Sequence, residues 1–434
     1  MKRWIFLFGR QPELGLAELL SALHVQKLQY TPTLVSPNAF MIECDDSFDA
    51  PGELKRLGGT IKIAEVNETM PRGHDSRTVL RELLKNDSVM RAFAPKGTGR
   101  WTFGISVYGA EYDRDIAPSV HDFGLDLKRY LKSRKRSARF VEPRGKSQAL
   151  ASVVVHGNGL LKEGGAEIVI VFGSTEVYRA QTRAVQDFRG YSERDYGRPE
   201  RNPKSGSLPP KLAQIMINMA GKPAGAYIFD PFCGIGTVLQ EGLLMGYKVG
   251  GCDNDTDQID RATKNLAWLK KISKVNAQLN LSDPELLGIF DAAKVRLKAQ
   301  SVDALVSEGV LGPPRSRPFS PLEASQVATH VAKLWKATLE HFKTLLKPDA
   351  TLVITLPVLQ TASSPNGESV AVQRQEPTFV PLLDALPKLG YRLEALVPPQ
   401  NAAVLPVSAR GTLVYSRPDQ VVGRELLKLS LSHN

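Results

Sequence analysis

The chain has 434 residues, with 56 Lys or Arg against 45 Asp or Glu, a formal charge of +11 and a pI near 9.4. That length exceeds one ordinary core, so two or three domains are expected, and the excess positive charge attracts phosphate-rich partners at long range. Three cysteines, Cys44, Cys233 and Cys252, offer no paired spacing for zinc or a disulfide framework. The start Met1-Lys2-Arg3-Trp4-Ile5 lacks a leader pattern, and no run reaches the ~20 apolar residues of a membrane helix. The reading is a reduced, cytoplasmic protein with no metal and no membrane span.

Taken in chain order, residues 1–60 read as a small α+β unit, with a strand over 4–8, a helix over 12–23 and strands near 28–34 and 40–43. Gly58-Gly59 precedes a strand over 61–65, and residues 103–109 alternate as a half-buried strand. A helix over 122–132 follows, then strands at 140–141, 151–155 and 167–172, a mixture that again suggests a small α+β domain. The densest positive stretch is 128–140, where Lys128, Arg129, Lys132, Arg134, Lys135, Arg136 and Arg139 are interleaved with Tyr130 and Phe140. It reads either as a phosphate-tracking surface or as a solvated helix end whose cations meet the C-terminal dipole. Residues 176–210 turn polar and arginine-rich, with Arg183, Arg189, Arg194, Arg198 and Arg201, and read as a linker. Residues 60–175 and this linker are where affinity for a nucleic acid is expected to reside.

Leu208-Pro209-Pro210 opens a helix over 211–220, and an alternating α/β series follows. It has strands over 227–229, 248–252, 302–307, 352–356, 391–397 and 412–415, and helices over 238–245, 324–342 and 380–389. A seven-stranded doubly wound sheet fits this C-terminal segment, 211–434, with a loop insertion over 360–376.

The first strand of that series runs into Asp230-Pro231-Phe232-Cys233-Gly234-Ile235-Gly236-Thr237. Gly234 and Gly236 let the backbone turn and approach a ligand, and Thr237 restarts helical spacing. A third glycine three residues on, which a dinucleotide fingerprint needs, is replaced by Leu239. A carboxylate at Asp230 suits a cationic ligand with amino groups better than a pyrophosphate, which points to S-adenosylmethionine. The next strand ends in Asp253-Asn254, about 20 residues past the turn, where a ribose is held by charge-assisted bonds. Asp253 could instead cap the following helix, although Asp255 or Thr256 can do so equally well. Asp291, after Ile289-Phe290, reads as an adenine-amino contact or as a plain loop acid.

With these residues in hand, the chain resembles the THUMP-domain tRNA guanine-N2 methyltransferases that modify position 10 of tRNA. The likeness lies at Phe6-Leu7-Phe8-Gly9-Arg10, Gly58-Gly59-Thr60-Ile61-Lys62-Ile63-Ala64, the 130–141 basic segment, Gln186-Asp187-Phe188, Tyr191-Ser192-Glu193-Arg194-Asp195-Tyr196-Gly197-Arg198-Pro199, Leu208 to Gln214, and the glycine loop. It implies a ferredoxin-like domain over 1–60, a THUMP domain over 61–175 gripping the tRNA acceptor end, and a Rossmann-fold methyltransferase domain over 211–434. It further implies that Asp230, Pro231, Cys233, Gly234, Gly236, Thr237, Asp253, Asn254 and Asp291 face S-adenosylmethionine, and that tRNA meets Lys128, Lys132, Arg134, Lys135, Arg136 and Arg139. A small activating protein subunit fits such an enzyme, which is otherwise expected as a monomer.

The departure is at the chemistry. Amino-methylating enzymes of this kind carry Asp or Asn, two prolines and an aromatic after the fourth strand, where this chain has Ser307-Glu308-Gly309-Val310. Glu308, with Ser307, is the expected acceptor or base for the target amino group, against a purely structural Glu. Two rival classes stay open: an RNA-binding protein that keeps the cofactor pocket without transfer chemistry, and a nicotinamide-dependent dehydrogenase.

Overall fold

The computed structural model describes residues 1–434 except 74, 94–98, 111–115, 144–146, 202–206, 274–286, 363–375, 398–406, 418–419 and 433–434. The chain divides into two compact units, residues 1–16 with 27–189 and residues 17–26 with 190–434.

In the first unit, β1 (Lys2–Phe8), β2 (Thr31–Ser36), β3 (Ala39–Cys44), β4 (Thr60–Pro71), β5 (Trp101–Tyr108), β6 (Ala138–Val141), β7 (Gly165–Phe172) and β8 (Glu176–Val185) form one sheet. Their order is β2-β3-β1-β4-β8-β7-β5-β6. The helices that begin in it are α1 (Pro12–Gln26), whose residues 17–26 count with the second unit, α2 (Ala50–Arg56), α3 (Ser76–Leu83), α4 (Asn86–Phe93), α5 (Ile116–Ser133), α6 (Ser152–Gly157) and α7 (Phe188–Ser192), which runs into the second unit from residue 190. The sheet runs without a break past residue 60, because β4 pairs with β1 on one side and β8 on the other. Residues 176–185, expected within a linker, are thus a strand of this sheet.

The β-branched run at 151–155, expected as a strand, is α6 instead. Its entry is fixed from outside: Ser106 Oγ accepts the Leu150 N–H at 2.9 Å, and Lys62 Nζ donates to the Leu150 carbonyl at 2.6 Å. Lys62 is itself fully buried in an ion pair with Glu167, which also accepts from Ser106 and Thr182 at 2.6 Å each. A buried pair so completely hydrogen-bonded repays its desolvation, whereas removing one partner would strand a charge. β5 and β6 are tied by aromatic packing, with the Phe103 and Phe140 rings stacked 5.2 Å apart.

The second unit is a doubly wound α/β sheet. Strands β9 (Tyr227–Asp230), β10 (Lys248–Asp253), β11 (Leu287–Ile289), β12 (Val302–Ser307), β13 (Leu346–Leu359), β14 (Thr378–Phe379), β15 (Tyr391–Glu394), β16 (Leu413–Tyr415) and β17 (Val422–Leu431) alternate with helices. These are α8 (Pro210–Met219), α9 (Thr237–Leu244), α10 (Thr256–Ile272), α11 (Pro321–Phe342) and α12 (Leu386–Leu389). The continuous path of seven strands is β11-β10-β9-β12-β13-β17-β15, with β14 added on β13 and β16 on β17. Strand order reverses between β9 and β12, and in such sheets ligands bind outside the carboxyl ends of the strands at that switch. Most of the expected insertion over 360–376 lies outside the described residues.

The sheet holds its shape because β9 is buried between two parallel neighbours, with Ile228 and Phe229 essentially inaccessible. Trp335 and Phe342 of α11 pack on it, each large side chain contributing roughly 1.5–3 kcal/mol by burial. α11 starts sharply: Ser320 and Glu323 form a capping box around Pro321, and two bonds from Arg315 hold the Glu323 carboxyl down to about 2.

Candidate active site

Three acids converge at the carboxyl ends of β10, β9 and β12, which are neighbours in the sheet. Asp230 ends β9, is buried, and accepts from the Phe232 N–H at 3.1 Å and from the Ser307 hydroxyl. Burial pushes its carboxyl up to about 7, and the nearby charges of Asp253 and Glu308 push in the same direction. A buried acid in that state gains most from a cation placed beside it.

Asp253 ends β10 half-buried. Its two oxygens accept the Gly234 and Asp255 N–H groups at 3.0 Å each, which fixes the carboxylate against the glycine loop. Burial raises its pKa despite those bonds. Capping of α10 is done by Asp255, which accepts the Asp257 N–H at 2.9 Å, so Asp253 is not needed for that task. The loop itself needs its glycines: Gly234 and Gly236 have φ of +51° and +81°, and an added Cβ at Gly234 would meet nothing nearer than 4.0 Å. The open side is where a ligand can lie against the backbone. Pro231 and Cys233 stand in the same turn, where Cys233 N donates to the Cys252 carbonyl at 2.9 Å. Burial pushes both the Cys233 and Cys252 thiols well up, which keeps them protonated and unsuited to nucleophilic work.

Asn254 and Asp291 are exposed. Asp291 caps a single 3-10 turn, accepting the Ala293 N–H at 3.0 Å, with Lys294 3.7 Å away. Beside it stands Ile289, at 52% exposure and in register with Asp253, an apolar surface at the strand end that the sequence reading passed over.

Ser307 and Glu308 follow β12. Ser307 is buried and its Oγ accepts the Gly309 N–H at 3.2 Å, besides serving Asp230. Glu308 is held twice: Arg424 Nε donates to its Oε1 at 2.5 Å, and Thr355 Oγ1 donates to its carbonyl at 2.6 Å. The turn cannot relax at the next residue either, because Gly309 has φ of +68° and sits against the Trp335 indole.

The helix that carries the loop is braced by residues missed as functional in the sequence. Arg198, buried, donates to Thr237 Oγ1 at 2.8 Å, and Arg194 grips Glu241 through two bonds of 2.6 and 3.2 Å. Asn265 of α10 donates to the carbonyls of Ile235 and Glu200 at 3.0 and 3.1 Å. The polarity that makes 190–201 read as a linker is spent on these contacts. In the first unit, Lys128, Lys132, Arg134, Lys135 and Arg139 are exposed around the α5 end and Arg136 is half-buried. The Arg134 guanidinium lies 5.2 Å from the Tyr130 ring.

Residues 198–380 match the family of RMKL-like methyltransferase domains. Two curated relatives are similar over shorter stretches. A tRNA (guanine(10)-N2)-dimethyltransferase of Methanothermobacter thermautotrophicus is 37% identical over 117 residues, 26% of this chain and 31% of the relative. A protein of the same name in Methanocaldococcus jannaschii is 33% identical over 107 residues, 25% of this chain and 29% of its own length. These matches span less than a third of either relative. Over nearly the whole length the fold is similar to TrmN from Thermus thermophilus, with a TM-score of 0.55, 14% identity and 99% coverage of both chains. The matched segment includes the strands at whose switch point Asp230, Asp253 and Glu308 stand. Among the described residues, no helix is long and apolar enough to cross a membrane.

Proposed function

We propose that this chain is an S-adenosylmethionine-dependent tRNA methyltransferase acting on the exocyclic N2 of a guanosine. The observation that carries the reading is Asp230, a buried carboxyl beside an open glycine loop, with Asp253 fixed one strand away. S-adenosylmethionine, held by Asp230, Asp253 and the glycine loop, would supply an electrophilic methyl group for the N2 lone pair. Asp230 offers its carboxylate to a cationic ligand, Asp253 accepts from ribose hydroxyls, and Gly234 and Gly236 allow backbone approach. Pro231, Cys233, Thr237, Asn254 and Asp291 complete the cofactor rim.

Glu308, oriented from two sides, accepts an amino hydrogen, turns the nitrogen lone pair toward the donor and receives the proton it releases, while Ser307 holds Asp230 in register. Positioning supplies most of the rate, since a sulfonium is already a reactive donor. Residues 61–175 act as the THUMP domain on tRNA, with Lys128, Lys132, Arg134, Lys135, Arg136 and Arg139 tracking phosphates. Residues 1–60 form the ferredoxin-like part and 211–434 the Rossmann-fold methyltransferase domain, and the connection expected over 176–210 is confined to the residues after β8, which ends at Val185. The protein works in the cytoplasm, as a monomer or with a small activating subunit. The names of the two archaeal relatives and the completeness of the cofactor loop support this reading.

Nucleoside mass spectrometry of tRNA from cells with and without the protein tests it, with loss of an N2-methylated guanosine as the expected result. Calorimetry provides the second arm: the wild type binds S-adenosylmethionine, and Asp253→Ala weakens it about tenfold or more, the cost of a charge-assisted bond. An unchanged nucleoside profile together with no cofactor binding overturns the proposal.

A further inference from the structure

The free side of Glu308 is shared with an arginine and a tyrosine that no motif singles out. Arg424 lies on β17, and its side chain is only 5% exposed. β16 places Tyr415 directly opposite it, with the Arg424 guanidinium carbon 5.8 Å from the ring centre. Among the described residues, the bond from Nε to Glu308 Oε1 is the one hydrogen bond this guanidinium makes. Its two terminal nitrogens, with four N–H donors between them, and Glu308 Oε2 are left for a ligand. Neither terminal nitrogen is among the sealed polar atoms, so both border space that a ligand can enter. The half-buried Tyr415 ring stands beside the pair, in a chain that lacks the aromatic its motif calls for after Gly309.

Resting on the function proposed above, we infer that Glu308, Arg424 and Tyr415 form the base subsite, and that Arg424 reads the guanine O6. Guanine presents two adjacent donors, N1–H and N2–H, and then the acceptor O6. A carboxylate next to a guanidinium presents the complementary order, acceptors and then donors. Adenine puts an N1 lone pair beside its amino group, which the carboxylate repels. Tyr415 stacks on the base face, a contact that tolerates any base and so adds affinity without choice.

The test compares tRNA carrying guanosine with tRNA carrying 2,6-diaminopurine riboside at the guanosine the wild type methylates. The analogue keeps the 2-amino group but has a lone pair at N1 and a donor in place of O6. The wild type is expected to prefer guanosine by about a hundredfold or more in kcat/KM, since a site built to hydrogen-bond rejects mismatched groups strongly. Arg424→Gln should cut that preference at least tenfold, and Arg424→Lys, which keeps the charge on Glu308 but not the fork, should fall between. Tyr415→Ala should lower kcat/KM about tenfold for both RNAs alike, and Tyr415→Phe should restore it. Binding of S-adenosylhomocysteine verifies that each variant is folded. If Arg424 merely braces Glu308, its variants slow both RNAs equally, and an unchanged preference in Arg424→Gln and Arg424→Lys overturns the inference. A wild type that methylates no guanosine overturns the proposed function and this subsite together; an active wild type with an unchanged preference in the variants overturns the subsite alone.

Discussion

At the scale of single residues, Asp230 makes a prediction whose sign can be worked out. Its carboxyl is pushed up to about 7 from a usual carboxylate value, mainly by burial. The folded protein therefore keeps a proton that the unfolded chain has already released between about pH 4 and 7, so the ligand-free stability from this group falls as pH rises through that window. A cationic cofactor favours the ionised form, so its affinity moves the other way. Calorimetry with S-adenosylmethionine should show affinity rising with pH by up to about tenfold per unit below 7 and levelling above it. Asp253, also raised by burial, adds in the same direction, so Asp230→Asn should flatten the slope without abolishing it. A wild-type affinity that is constant from pH 5.5 to 8 would remove Asp230 from the cationic contact. Glu308→Gln isolates the other acid: turnover should drop by about 10²–10⁴-fold, the range for a positioned acceptor or base, with cofactor affinity nearly untouched. Wild-type turnover in that variant would pass the orienting role to Ser307 or to a backbone carbonyl.

At the scale of elements, the turn after β12 is the most tightly specified. Gly309→Ala places a Cβ 2.7 Å from the Trp335 ring at φ +68°, and Trp335 is packed in the core. Gly225 has φ of +87° with nothing within 4 Å of its missing Cβ, so Gly225→Ala carries the backbone cost alone, about 1–2 kcal/mol. Gly309→Ala should cost at least about 1–3 kcal/mol more, the range for overpacking, and urea denaturation of the two variants measures the difference. If their midpoints coincide, the Trp335 contact does not constrain the turn.

The part of this site that the sequence discloses is the part that is local in the chain. β9, the glycine loop, α9 and β10 fall within 27 residues, from 227 to 253, and their strand and helix patterns follow one another directly. Arg424 and Glu308 are 116 residues apart, and nothing in either neighbourhood announces the other. β17 was hidden for a further reason: Arg424-Glu425-Leu426-Leu427-Lys428 is rich in good helix formers, and pairing with β13 on one side and with β15 and β16 on the other makes it a strand. Over 380–389 the opposite happens. Pro387 removes a donor in mid-run, so the expected helix becomes a 3-10 turn, Leu383–Ala385, followed by the short α12.

At the scale of the whole molecule, a charge of +11 says only that some surface is positive, and the structure narrows which. Of the arginines expected to help hold RNA between 183 and 201, Arg183 pairs with Glu65 at 2.8 Å, Arg194 grips Glu241, and Arg198 is buried on Thr237. Cations already committed to protein partners release few counterions on meeting a phosphate. The residues around the end of α5 differ, since Lys128, Lys132, Arg134, Lys135 and Arg139 project into solvent close together, a concentration of like charge that an anionic partner relieves. RNA affinity should accordingly fall steeply with salt, with a slope of log affinity against log salt of roughly −0.7 to −0.9 for each phosphate contacted. Replacing Arg134, Lys135 and Arg136 together by Ala should weaken tRNA binding and reduce that slope by roughly two to three contacts' worth, while the affinity for S-adenosylmethionine stays put. Arg194→Ala should leave the slope as it was, because its charge is already spent on Glu241. The reverse outcome, an unchanged slope in the triple variant and a reduced one in Arg194→Ala, would move the RNA surface from the end of α5 to the segment that braces the cofactor loop.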